Sequence, residues 1–226
     1  MSGIVKDRAW VDAMDHRGAD VFFNALAQCA NLQDRRAVDM FARDGVLTVA
    51  RYFDKVKTLD LWEMNPAFKT ALEQIPANEV IIRDSYQTVV HCPGKYDFIV
   101  VDTPQGVYDC TLGQVAEHFM FLPLLRKVMS DDCIVVVYVN KDPYVRDEVG
   151  NFGRDRYDTH DHEIWMGYRR SFYGSQVVEE GQAITTYKRL FDSMGFRTTK
   201  VLATPCWDDS PGLPASFRLA LWLNRS

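Results

Sequence analysis

Residues 37–48 read AVDMFARDGVLT. Ala37–Phe41 is a short apolar run around one acid, Asp39, and predicts a buried strand. Asp44-Gly45 is turn chemistry, and the residues after it predict a helix from about Val46 to Phe53. The next apolar run, TLDLW at 58–62, ends at Glu63. The order is therefore strand, small-residue turn, helix, then a second strand tipped by an acid. In an open parallel sheet the C-terminal strand tips line one edge, and ligands bind in the crevice along it.

Working outward, the same alternation continues. Residues 19–31, ADVFFNALAQCAN, carry apolar side chains at helical spacing, within an N-terminal helical lead-in over 1–32. Strand two spans about Thr58–Glu63. Asn65-Pro66 opens a helix through Gln74, with Pro in its favoured first-turn place. VIIRD, 80–84, is a third strand. KYDFIVVDTP, 95–104, is a fourth, so uniformly apolar that both faces are covered. A helix is expected over 113–129, interrupted near Pro123, and CIVVVYV, 133–139, is a fifth strand.

Residues 141–182 break the pattern with polar, aromatic and charged side chains and recurrent glycine, and read as an insertion or lid. AITTYKRLFDSMG then gives an amphipathic helix stopping at Gly195. RTTKVLAT and SFRLALWLN close the chain as two strands. PCWDDSPGLPA between them is too short for a helical crossover, so the last strand should run antiparallel. The expected organisation is one domain over 1–226, with 141–182 inserted into it.

Composition narrows the classes. Apolar residues make up 47% and aromatic residues 12%, enough for one core. A net charge of −5 disfavours a broad basic surface for long nucleic acid but allows a local basic patch. Five cysteines (29, 92, 110, 133 and 206) form no CxxC pair and read as reduced structural thiols. No apolar run reaches the ~18 residues of a membrane span. The charged N-terminal residues Lys6, Asp7, Arg8 and Asp12 lack a signal peptide's apolar core. These features predict a cytoplasmic protein with no membrane partner.

Taken together, the strands, the turn at 42–45 and the closing antiparallel hairpin resemble the class I S-adenosylmethionine-dependent methyltransferases. The likeness covers roughly 20–140 and 183–226. It implies an α/β, Rossmann-like doubly wound sheet, mostly parallel, with seven strands, an antiparallel last strand and helices on both faces. The family's first motif is commonly apolar-Asp-apolar-Phe-Ala-Gly-x-Gly. Asp39, Met40, Phe41, Ala42, Asp44 and Gly45 fit it, whereas Arg43 stands where a glycine is usual. Glu63 matches the acid that binds the ribose hydroxyls, with Met64 beside it. Asp84 and Ser85 match the position at the adenine edge. Asp102-Thr103-Pro104-Gln105 occupies the fourth motif, which reads Asp/Asn-Pro-Pro-aromatic in enzymes acting on exocyclic amines. The present string keeps the first and third residues and loses the second and fourth. FFNALAQCA before AVDMFARDG is also similar to the Phe-Asn-x-Leu lead-in of ribosomal RNA guanine-N2 methyltransferases.

The resemblance implies S-adenosylmethionine as cofactor, bound by Asp39, Phe41, Ala42, Asp44, Gly45, Glu63, Met64, Asp84, Ser85 and Asp102. It implies an RNA or DNA base as acceptor. Asp102 and the carbonyl of Thr103 or Pro104 would receive the amine's N–H groups, and Tyr108 is the candidate stacking ring in place of Gln105. Two rivals stay open. One is methylation of a small molecule or protein side chain. The other is a catalytically silent binding or scaffolding module, supported by Arg43 and Gln105. His160, Asp161, His162 and Glu163 invite a metal reading, but no third ligand stands at recognisable spacing and a polar lid accounts for them. WMGYRRSFY, 165–173, could stack bases with Arg169 and Arg170 or fold a lid onto the core. Trp207, Asp208 and Asp209 are candidates from the final turn.

Overall fold

The computed structural model describes residues 8–102, 107–109, 114–115, 117–141, 159–205 and 216–226. Within these, the side chains of 8–16, 107–109, 114–115 and 159–162 are outside the description. Four strands run parallel: β1 (Arg36–Asp39), β2 (Thr58–Glu63), β3 (Glu79–Ile82) and β4 (Tyr96–Val101). β5 (Val107–Asp109) and β6 (Gln114–Val115) form a separate antiparallel pair. β7 (Met129–Asn140) extends the main sheet parallel to β4. β8 (Phe196–Pro205) and β9 (Ser216–Arg225) complete it, and β9 is antiparallel to both neighbours. The order across the seven strands is β3-β2-β1-β4-β7-β9-β8. The order turns back between β1 and β4, where one crossover runs to either side and leaves a crevice at the tips.

Alternation along each strand sorts the side chains into two cores. Phe98, Val100, Ile134, Val136 and Ala220 meet Ala19, Phe22, Phe23 and Leu26 of α1 (Arg8–Cys29). Ile99, Val101, Val135, Val137 and Leu219 meet the other layer. That layer comprises α3 (Ser85–His91), α4 (Thr159–Tyr173) and α5 (Glu180–Ser193), together with a 3-10 turn at Leu122–Lys127. Each fully buried Phe or Leu contributes about 1.5–3 kcal/mol, which explains why both faces of β4 and β7 are apolar. α5 buries Ala183, Tyr187 and Phe191, spaced four apart on one face, and ends where Gly195 takes the left-handed φ of 84°.

Three expectations change. Residues 46–53 are two 3-10 turns, Val49–Arg51 and Phe53–Lys55, rather than one helix. β-branched and aromatic residues favour helix weakly there, and Tyr52, held at φ −142°, interrupts it. The helix expected over 65–74 is a 3-10 turn at Pro66–Phe68 leading into the four-residue α2 (Lys69–Leu72). The described residues of 113–129 do not form the expected helix. Glu117 and His118 have φ of 69° and 46°, which no right-handed helix accommodates, and the chain turns there into the 3-10 turn holding Pro123. Part of the 141–182 segment is helical, as α4.

Candidate active site

The carboxylates at the tips of β1, β2 and β4 share one sheet face. Ala37, Leu59, Leu61, Phe98 and Val100 all belong to the α1-side core, so period-2 alternation turns Asp39, Glu63 and Asp102 to that same side. All three are buried, at 1%, 8% and 3% exposure. They sense one another: burial first, then the charges of Asp102 and Glu63, lift the Asp39 carboxyl to about 7.

The segment after the turn at 42–45 stitches this row. Tyr52 donates its hydroxyl to Asp39 at 2.8 Å, and Thr48 donates to Asp102 Oδ2 at 3.0 Å. The Phe41 amide donates to the other Asp39 oxygen at 3.2 Å. Glu63 is gripped by backbone: the Arg43 and Asn65 amides each donate to one oxygen at 2.7 Å. That grip fixes the carboxylate at the strand tip and folds the turn over it. Arg43 takes φ 53°, the left-handed conformation its glycine counterpart would adopt freely, and its side chain is exposed. At Gly45, φ is 75° and an added Cβ would lie 2.3 Å from Ile75 Cδ1, so a side chain there would be strained and would have to displace the Ile75 tip. Ala42 is buried, its amide donating to the Trp62 carbonyl at 3.0 Å, and Asp44 accepts from the Val46 amide at 3.1 Å to shape the turn.

Asp84 caps α3 by accepting from the Tyr86 amide at 2.9 Å. Ser85 is buried and donates to the Met40 carbonyl, tying this loop to the tip of β1. Met64 is 54% exposed at the rim. The Phe41 ring stacks on His118 with centroids 3.8 Å apart and planes 9° from parallel, and Tyr86 reaches His118 Nδ1 at 3.2 Å. Burial drives the His118 pKa down to about 3, so the ring is neutral.

Asp102 has a partner that the sequence reading missed. Arg218 of β9 donates Nε to Asp102 Oδ2 at 2.7 Å, and both side chains are fully buried. Its guanidinium also lies 5.1 Å from the Tyr138 ring centre. Asp102 Oδ1, also buried, has no hydrogen-bond partner among the described residues. A lone arginine inside the apolar run SFRLALWLN was the available signal, since a buried cation demands a buried anion. Thr48 and Tyr52 were missed as well, because nothing local distinguishes them from surface-helix residues.

A second buried ion pair joins α4 to the end of β7, where Arg169 donates to Glu117. Tyr173 donates to Glu117 at 3.0 Å, and Arg169 also donates to the carbonyls of Gln176 and Asn140 at 2.7 and 2.6 Å. Burial lifts the Glu117 carboxyl, while Arg169 opposes that rise. Arg169 therefore fastens α4 to the core and is not a surface cation for phosphate. Arg170 is exposed.

Thr103, Pro104, Gln105, Trp207, Asp208 and Asp209 lie outside the described residues. Tyr108 sits in β5 with its side chain outside the description. His160, Asp161 and His162 lie on the helical backbone of α4. Among the described residues no cluster suits a metal ion, and no helix is long and apolar enough to cross a membrane.

No protein-family model matches the chain, and no curated protein matches it in sequence. Solved structures do match in shape. M. jannaschii TYW2 in complex with AdoMet aligns with TM-score 0.54 at 16% identity, over 93% of this chain and 77% of that one. PH1948 from Pyrococcus horikoshii, a proposed RNA methyltransferase, gives 0.51 at 11% identity, over 92% and 84%. SMU.776, a proposed methyltransferase complexed with SAH, gives 0.56 at 9% identity, over 89% of this chain and 48% of that one. The sheet order, the closing antiparallel hairpin and these three likenesses place the chain in the class I methyltransferase fold.

Proposed function

We propose that the chain is an S-adenosylmethionine-dependent methyltransferase whose acceptor is an exocyclic amine of a nucleic-acid base or nucleotide-like molecule. The observation that carries this reading is the row of buried acids at three adjacent strand tips, Glu63, Asp39 and Asp102. Such a row suits a ligand with a diol at one end and positive charge near the middle. The likenesses to AdoMet-bound TYW2 and SAH-bound SMU.776 support the cofactor, and the likeness to PH1948 supports an RNA acceptor.

The residues present fit that cofactor. Glu63, anchored by two amides, is the ribose acceptor, because each oxygen keeps a second lone pair for a hydroxyl. Asp84 and Ser85 border the adenine, and Met64 covers its rim. Asp39 and the turn through Phe41, Ala42, Asp44 and Gly45 hold the methionine portion. Bound S-adenosylmethionine would supply a methyl group activated on sulfur for transfer to the acceptor nitrogen, and Asp102 would take the proton that nitrogen then releases. Asp102 Oδ1 accepts an N–H of the acceptor amine and so aims its lone pair. Arg218 and Thr48 occupy Oδ2 and keep the carboxylate from turning. Pro104 and Tyr108 are assigned to the same acceptor side, for carbonyl contact and stacking.

Calorimetry with S-adenosylmethionine and its demethylated product tests the cofactor. Loss of the carboxylate in Glu63→Ala should weaken binding by roughly 2–4 kcal/mol. Equal affinity in wild type and variant would remove Glu63 from the ribose site, and no binding at all would end the reading. Labelled-methyl transfer to RNA, DNA and small-molecule extracts then identifies the acceptor class. The net charge of −5 favours a small-molecule acceptor as the second reading. Turnover that is insensitive to salt would select it, since nucleic-acid binding weakens steeply with salt.

A further inference from the structure

The polar row does not stop at Asp102. Tyr138 and Asn140 of β7 follow Ile134 and Val136 in alternation, so they face the same side as the three acids. Across the next ladder stand Arg218, paired with Tyr138, and Ser216, paired with Asn140. Tyr138 donates to Ser216 at 2.7 Å, and Arg218 donates to Asp102.

Asn140 stands apart within this row. It is fully buried, yet among the described residues neither its side-chain oxygen nor its nitrogen has a hydrogen-bond partner. Leaving a buried carboxamide unpaired costs the desolvation of both its atoms. Its backbone, in contrast, is clamped from both sides by the second buried ion pair. Its amide donates to Glu117 Oε1 at 3.2 Å, and its carbonyl accepts from Arg169 at 2.6 Å. The fold thus fixes the position of Asn140 and leaves its side chain unsatisfied. One strand away, Asp102 Oδ1 is likewise buried and without a partner.

We infer that Asn140 is a specificity-determining residue that reads the polar edge of a planar acceptor whose amine faces Asp102. This inference rests on the methyltransferase reading. A carboxamide offers one acceptor and two donors in a plane, and Asp102 offers an acceptor on the neighbouring strand. Their complement is a ring with an exocyclic amine flanked by a polar ring atom or carbonyl. Nucleobases have this edge, whether in a free nucleoside or in a single-stranded stretch of RNA.

The test uses wild type, Asn140→Leu and Asn140→Asp, each saturated with the demethylated cofactor. Calorimetry is run with guanosine, adenosine and cytidine, and with a short unstructured RNA. Unfolding is followed for each variant, and cofactor affinity is measured separately. The inference expects Asn140→Leu to keep its melting temperature or raise it, because two unpaired polar atoms are removed. It expects cofactor affinity within about twofold of wild type and base binding weakened roughly 10–100-fold. Asn140→Asp should change which base is preferred. The nucleoside and RNA arms distinguish the source of the base.

Base binding unchanged in both variants would overturn the inference and leave the methyltransferase reading intact. A marked fall in melting temperature in Asn140→Leu would assign the residue a structural role instead. Lost cofactor affinity would move it to the cofactor side. If wild type bound cofactor but no base in any arm, the base-acceptor reading and this inference would fall together. If it bound no cofactor, the methyltransferase reading itself would fail.

Discussion

Replacing Asp39 with Asn probes the charge at the centre of the acidic row. Burial, with the nearby Asp102 and Glu63, raises this carboxyl from 3.8 to about 7, against the opposing hydrogen bonds from Tyr52 and Phe41. The folded chain therefore holds the proton more tightly than the unfolded chain does. The resulting stabilisation is complete below about pH 4, where both states carry the proton. It is lost as pH rises through about 7, because the unfolded chain has released its proton and the folded chain must give one up. A shift of this size corresponds to about 4 kcal/mol across that window. Urea unfolding at steps from about pH 4 to pH 8, followed by tryptophan fluorescence, measures it. Other groups titrate in the same range, so the quantity to follow is the difference between Asp39→Asn and wild type. That difference should move by about 4 kcal/mol in favour of the variant as pH rises. A constant difference across the range would refute the coupled-acid account. The same charge should act on ligands: in wild type the preference for the cationic cofactor over its neutral product should grow as pH passes 7, and in the variant it should stay flat.

Arg43→Gly should raise stability by about 0.5–1 kcal/mol in urea unfolding, since φ 53° strains an L-residue and the Arg43 side chain is exposed. Unchanged or lower stability would mean that the arginine side chain contributes more than the strain costs. Glu117→Leu and Arg169→Met should each lower stability by roughly 3–5 kcal/mol by stranding a buried charge, whereas the double variant Glu117→Leu/Arg169→Met should recover much of the loss. Thermal unfolding of all three reads the non-additivity, and additive losses would rule out a shared pair.

Much of the architecture was legible because strands leave a local mark. The runs at 58–63, 96–101 and 133–139 are apolar, and their tips carry Glu63, Asp102 and Asn140 where the apolar pattern stops. The antiparallel end followed from a linker too short to cross the sheet. The partners of those tips were not legible, because each comes from far along the chain. Arg218 meets Asp102 across 116 positions, and Arg169 meets Glu117 across 52. The helix expected over 46–53 failed for the same reason: Tyr52 and Thr48 answer to acids on other strands, not to their neighbours. At Glu117 and His118 the backbone adopts left-handed angles that no glycine advertised.

Since Arg218 is delivered by the last strand of the sheet, the carboxylate at the β4 tip cannot be electrically finished by an earlier folding unit. A chain whose first five strands have assembled carries Asp102 without its counter-charge, and that burial is unfavourable until β9 slots between β7 and β8. The closing hairpin thus works as a completion check, making the neutralisation of Asp102 conditional on the whole sheet having formed.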